Sequence, residues 1–133
     1  MAGYSGKPLQ SKLGIKPGMS ALALHAPDGF GVEFVDVTWK TQVDVNVDVI
    51  IAFFTERSKA NDAWPQLTEA AGPCGVIWMA WPKKASNVPT DITENVWRTD
   101  ILPTGWVDVK VCAIDETWSG LKFVLRKELR PKT

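Results

Sequence analysis

The sequence has little of what builds metal and disulfide chemistry. It contains one histidine, His25, and two cysteines, Cys74 and Cys112, with no Cys-x-x-Cys pair. That inventory argues against a structural zinc site, and no metal is expected. Two cysteines do not make a disulfide framework, so free thiols and a reducing, cytoplasmic compartment are expected. Net charge is lacking too: fifteen basic and fifteen acidic residues cancel. No overall field draws in nucleic acid or an anionic membrane. No apolar run is long enough to span a bilayer, and the opening MAGYSGKPLQSKLG has no apolar signal segment.

What is present is an ordinary globular balance, 45% hydrophobic and 23% charged over 133 residues. That length fits one domain, residues 1–133, with residues 1–18 as an N-terminal extension packed on it. Such a domain can bury a core without covalent help. Pro8 opens a short helix that buries Leu9 and Leu13, and Gly14 ends it. A first strand is expected over Ser20–Ala26 and a short edge strand over Val35–Thr41, where Val35, Val37 and Trp39 alternate with polar neighbours. The run VIIAFF within Val47–Phe54 marks a central strand covered on both faces, as in a parallel sheet. A helix follows within Ser58–Ala71. Pro65 suits only its first turn or a kink.

Strand Val76–Trp81 comes next, stopped by Pro82. The loop KKASNVP then leads to a helix over Ile92–Leu102, with Asp91 and Glu94 spaced as a capping box. Strand Trp106–Ile114 and a last strand Leu121–Lys127 are joined by DETWSG, too short for a crossover, so the last strand runs antiparallel. The order implies a three-layer α/β fold: a Rossmann-like mixed sheet, mostly parallel, with an antiparallel C-terminal hairpin strand.

Three stretches carry a family resemblance: LGIKPGMSALALHAPDGF, then VDVIIAFF with EAAGPCGVIWMAWPK, then GWVDVKVCAIDETWSGLKFVLRK. In these the chain resembles the later part of the class I S-adenosylmethionine-dependent methyltransferase fold, in a reduced form. Through SGKPLQSKLGIKPG, WPKKAS and VDVKVCAIDETWSGLKFV it also resembles a small bacterial family, a domain of unknown function, which implies no particular activity. The methyltransferase resemblance implies a glycine loop after the first strand and an acidic residue after the second for the ribose hydroxyls. The stretch LALHAPDGF offers Gly29 alone, and Glu33 or Asp36 would be the remnant of the acidic residue. With a degenerate loop, no cofactor is expected and S-adenosylmethionine is not expected to bind.

In open α/β sheets ligands sit beyond the carboxyl ends of the strands. That rule nominates His25 and Asp28 after the first strand and Thr55 and Arg57 after the central one. It nominates Lys83, Lys84 and Ser86 after the next, and Trp118 and Ser119 in the final hairpin. Lys83 and Lys84 beside a helix N-terminus would favour an anion, against the plainer reading of a solvated turn. His25 could serve as a general base or ligand but has no obvious partner, and a histidine bonded to backbone at a strand end competes. Of the seven tryptophans, Trp81 and Trp118 are expected at the rim as a flat wall and the others in the core. Asp115 and Glu116 are adjacent carboxylates in a turn and are expected to diverge.

The residues therefore favour a non-enzymatic protein binding a small anionic ligand or a protein partner, with nucleic acid and membrane disfavoured. The alternative is a reduced methyltransferase-like transferase using S-adenosylmethionine or a nucleotide.

Overall fold

The computed structural model describes residues 8–43 and 46–131. Helix α1 (Leu9–Leu13) follows Pro8 and ends at Gly14, which takes the left-handed conformation at φ 77°. Strands β1 (Ser20–Leu24), β2 (Thr38–Lys40) and β3 (Val49–Phe53) lead to helix α2 (Arg57–Ala71) and strand β4 (Val76–Pro82). A single 3-10 turn at Lys84–Ser86 precedes helix α3 (Glu94–Ile101), and a second at Leu102–Thr104 precedes strands β5 (Trp106–Ala113) and β6 (Trp118–Leu125). Among the described residues no helix is long and apolar enough to cross a membrane.

The strands form one six-stranded sheet in the order β2-β1-β3-β4-β6-β5. Strands β2, β1, β3 and β4 are mutually parallel, and β6 is antiparallel to both β4 and β5. The mixed sheet with an antiparallel hairpin is therefore present as the element order implies. The chain moves to one side of β1 to make β2 and to the other to make β3, so the order reverses between β1 and β3.

Alternation along the central strands sorts residues into two cores. Ile50 and Ala52 of β3 pack with Trp64 and Leu67 of α2 and with Trp97 and Ile101 of α3. Val49, Ile51 and Phe53 face the other way, with Trp78, Leu13, Ile15 and Ile114. Every β3 residue is buried, which is why VIIAF reads as a continuous apolar run. Helix α1 is tied to its core by the Trp78 indole, whose Nε1–H donates to the Leu13 carbonyl at 3.0 Å.

Several expectations need correction. Pro65 sits well inside α2, not in its first turn. The ring is exposed. Helix α3 is capped by Thr93, whose Oγ1 accepts the Val96 N–H at 3.2 Å, and Asp91 takes no part in that cap. The turn DETWSG is shorter than its letters suggest, because β6 already begins at Trp118. Strand β5 is an edge strand with Val109 and Val111 about half exposed.

The largest departure lies between β1 and β2. A parallel crossover ordinarily uses a helix. Here residues 25–37 make successive turns, with Phe30, Val32 and Phe34 amides donating to the Pro27, Gly29 and Gly31 carbonyls. In place of a helix, the Phe30 and Phe34 rings cover the sheet. Phe30 lies edge-on to Phe53 with centroids 5.2 Å apart, and Phe34 stacks on Trp39 at 5.9 Å.

Candidate functional site

The carboxyl ends of β1, β3 and β4 share one edge of the sheet, and the turn after β5 comes to the same edge. Residue His25 leaves β1 in the left-handed conformation, φ 57°, which histidine tolerates better than bulkier residues. Its exposed ring packs edge-on against Phe54, 5.5 Å between centroids. Beyond it, the loop Pro27–Gly31 and Glu33 face Leu9 of α1 and the Ile114–Asp115 turn across a cavity of about 210 Å³.

Three carboxylates line this cavity, Asp28, Glu33 and Asp115, with no basic side chain among the lining residues. The Asp115 Oδ1 accepts the Thr117 and Trp118 amides at 2.8 and 2.7 Å, which fixes the turn. Among the described residues no His, Cys, Asp and Glu cluster could hold a metal ion. Carboxylates spread around a wall in this way suit a diffuse organic cation better than a compact divalent ion, which needs several oxygens within about 2.6 Å.

Two glycines shape the loop. Gly29 (φ 80°) has no atom within 4 Å of where a Cβ would stand, so its backbone is open to close approach. Gly31 (φ 81°) serves packing instead: a Cβ there would meet the Trp39 ring at 2.7 Å. Together they form a Gly-x-Gly step, Gly29–Phe30–Gly31, which the reading of Gly29 alone had passed over. Glu33 and Asp36 both precede β2, so neither stands at its carboxyl end; Thr41 and Gln42 do. The remnant acidic residue is therefore not where the resemblance would put it, although Glu33 reaches the cavity by another route.

The rest of the edge is closed by the chain itself. The Thr90 hydroxyl donates to the Thr55 carbonyl at 2.7 Å. The Asp91 carboxylate accepts the Arg57 amide at 2.8 Å, so the positive end of the α2 dipole already has its anion. The Arg57 guanidinium forms a forked pair with Asp100, at 2.8 and 2.6 Å. These hydrogen bonds hold the Asp100 carboxyl below its ordinary range against the opposing effect of partial burial.

The nominated residues thus fall into separate groups. His25 and Asp28 belong to the loop beside the cavity. Thr55 and Arg57 are engaged with Thr90, Asp91 and Asp100. Lys83 donates its amide to the Thr117 carbonyl at 2.7 Å, and its own carbonyl receives the Ser86 hydroxyl at 2.6 Å. Lys84 is exposed in the 3-10 turn. Ten positions separate it from the first residue of α3, and neither lysine is among the residues lining the cavity. Trp118 plugs the edge, its ring 5.1 Å from that of Phe53. Ser119 lies within β6 opposite Trp81. Trp81 itself is 9% exposed and packs in the α2–α3 core, so it offers no open wall. Leu9, expected to be buried by its helix, is only half-buried and lines the cavity, together with Phe30, which no sequence rule singled out.

The fold has clear relatives among solved structures. An S-adenosylmethionine-dependent methyltransferase from Aquifex aeolicus superposes with a TM-score of 0.62 at 14% identity, covering 86% of each chain. A ribosomal protein L11 methylase from Lactobacillus delbrueckii subsp. bulgaricus gives 0.55 at 11% identity, covering 89% of this chain and 75% of that one. The Methanococcus jannaschii fibrillarin pre-rRNA processing protein gives 0.54 at 12% identity, over 90% and 76%. At these identities the likeness is one of fold. No family profile and no curated protein sequence matches the chain.

Proposed function

We propose that this chain is a methyltransferase-like protein that binds S-adenosylmethionine, or a nucleoside of the same cationic kind, at the cavity beside the Pro27–Gly31 loop. The observation that carries this reading is the acidic lining, Asp28, Glu33 and Asp115, at the carboxyl edge of a sheet with methyltransferase-like neighbours. S-Adenosylmethionine bears a sulfonium and an ammonium group, and carboxylates lining a cavity favour such charges. Gly29 leaves the backbone open to a ligand at the same place. The reading replaces the expectation of an anionic ligand, which rested on Lys83 and Lys84 flanking a helix N-terminus. It also replaces the expectation that a lone glycine precludes the cofactor, since Gly31 shares the left-handed loop.

When bound, such a ligand supplies an electrophilic methyl group. This chain's own residues would do the holding: the carboxylates would face the positive groups, and the Phe30 and Trp118 rings, packed on Phe53, would keep the floor of the edge closed to water. Isothermal titration with S-adenosylmethionine tests the reading. A single-site isotherm is expected, weakened by roughly ten-fold or more in Asp28→Lys and in Glu33→Lys, since each reverses one charge at the wall. S-Adenosylhomocysteine, without the sulfonium charge, should bind more weakly. Absence of heat at millimolar ligand, or equal affinity in both lysine variants, would overturn the reading.

A further inference from the structure

Strand β2 ends the sheet and, among the described residues, pairs with β1 alone. The Thr38 amide donates to the Met19 carbonyl at 2.9 Å, and the Asp36 carbonyl accepts the Gly18 amide at 2.8 Å. Backbone groups alternate in direction along a strand, so those of Val37 and Trp39 point away from β1, off the edge of the sheet. The same edge is apolar. Val32, Val35, Trp39 and Val43 are all exposed, and they fall within the strand or the turns on either side of it. Clustered exposed apolar side chains of this kind mark a contact surface.

We propose that β2 pairs antiparallel with β2 of a second copy of this chain, about a two-fold axis through Thr38. Outward backbone groups at Val37 and Trp39 permit an axis at Val37, Thr38 or Trp39. Of these, the axis at Thr38 sets Asp36 opposite Lys40 of the second copy, twice, in the closer, non-hydrogen-bonded pairs. It also sets Val37 opposite Trp39 of the second copy in the hydrogen-bonded pairs, a match of β-branched and aromatic side chains. The axis at Trp39 would leave Lys40 opposite Thr38, and the axis at Val37 would leave Asp36 opposite Thr38. A lysine on an edge ordinarily opposes pairing, and here a carboxylate answers it. The Lys40 ammonium has three hydrogens, so this pair adds to what it bonds within its own chain. Val37 and Trp39 lie on the turn-built side, where Trp39 stacks on Phe34, so the pairing continues that cover across both copies. Antiparallel strands also bring Val35 of one copy towards Val43 of the other. The edge is thus complementary to its own sequence reversed, a match that an unrelated strand does not share.

Sedimentation of the full chain from about 10 µM to about 1 mM tests the pairing and should show a monomer–dimer equilibrium. Asp36→Lys and Lys40→Asp each create two like-charge pairs and should weaken the dimer by roughly ten-fold or more. The double variant Asp36→Lys/Lys40→Asp restores opposite charges and should return to within about three-fold of wild type. Asp36 holds the left-handed conformation, φ 58°, which strains a lysine. Asp36→Asn, which tolerates that backbone, is therefore a further variant that removes the charge alone and should weaken the dimer several-fold. Amide exchange reads the register directly. Val37 and Trp39 should slow as concentration rises, while Thr38, already bonded to Met19, should not change. A monomer at about 1 mM, a dimer weakened by neither Lys40→Asp nor Asp36→Asn, a folded double variant no better than the single ones, or protection at β5 in place of β2 would each overturn the proposal.

Discussion

The two sides of the sheet are built by different means. On one side α2 and α3 lay long apolar faces on β3, β4 and β6, and Trp97 and Leu67 are all but inaccessible. Their ends are closed by specific bonds: Thr93 caps α3, Asp91 receives the first amide of α2, and Arg57 clasps Asp100. On the other side, among the described residues, only the short α1 is helical, and between β1 and β2 a run of turns covers the sheet with Phe30 and Phe34, which pack with Trp39 of β2. At the carboxyl edge of the helical side Thr90 bonds to Thr55 and Asp91 to Arg57. The turn-built side has the cavity. Replacing a crossover helix by turns costs packing, and it leaves backbone and carboxylates facing a space where a ligand can enter.

Substitutions should separate the two sides. Leu67→Ala, fully buried in the helical core, should cost about 2–5 kcal/mol in urea unfolding. Phe34→Ala, half-buried in the turn-built cover, should cost clearly less, about 1–2 kcal/mol, because much of the ring already meets solvent. Equal losses would mean that the turns pack as tightly as the helices. Within the cover, Gly31→Ala should cost more than Gly29→Ala. Both positions are left-handed, a penalty of about 1–2 kcal/mol for a residue with a Cβ, but only Gly31 would also drive its Cβ into Trp39. A reversed order would refute the packing role given to Gly31.

The Arg57–Asp100 clasp should show itself in acid. The Asp100 carboxyl is held below its ordinary value chiefly by hydrogen bonds from Arg57. Its contribution is therefore complete above the unfolded carboxyl value near 3.9 and is lost as pH falls through the lower folded value. Wild type should exceed Asp100→Asn in stability by a constant margin above about pH 4, and the margin should shrink below it. A gap unchanged down to pH 2 would contradict the assignment. The smallest effect is expected at Lys84→Ala: an exposed side chain in a 3-10 turn should change stability by no more than about 0.5 kcal/mol and leave S-adenosylmethionine affinity untouched.

How much of this was legible beforehand follows the same division. Helix α2 and strands β3 and β4 were read nearly to their ends, because burial on a helical stripe or on both faces of a strand imposes a period. The antiparallel hairpin followed from the shortness of DETWSG. The turn-built cover has no period, and Phe30 and Phe34 bury themselves through loop conformation, so the stretch 27–46 gives a poor signal apart from the alternation at Val35, Val37 and Trp39. The Asp91 error has a similar origin. Spacing made it a partner of Glu94, whereas tertiary contact gives it the amide of Arg57, thirty-four positions away. At the edge, the strand-end rule brought His25 and Asp28 to the loop beside the cavity but could not tell that Trp81 points into the core. Nor could it show that Lys83 and Lys84 lie outside the cavity lining. The sign of the cavity's charge came only from two carboxylates of one loop, Asp28 and Glu33, meeting the distant Asp115 in space.

The most direct test of the central claim is hydrogen–deuterium exchange of the full chain with and without saturating S-adenosylmethionine. The account predicts slowed exchange confined to residues 25–34 and 113–118, the two segments that face each other across the cavity, with the amides of α2 and α3 unchanged. Protection confined to the Lys83–Ile92 segment, or no protection anywhere, would contradict it.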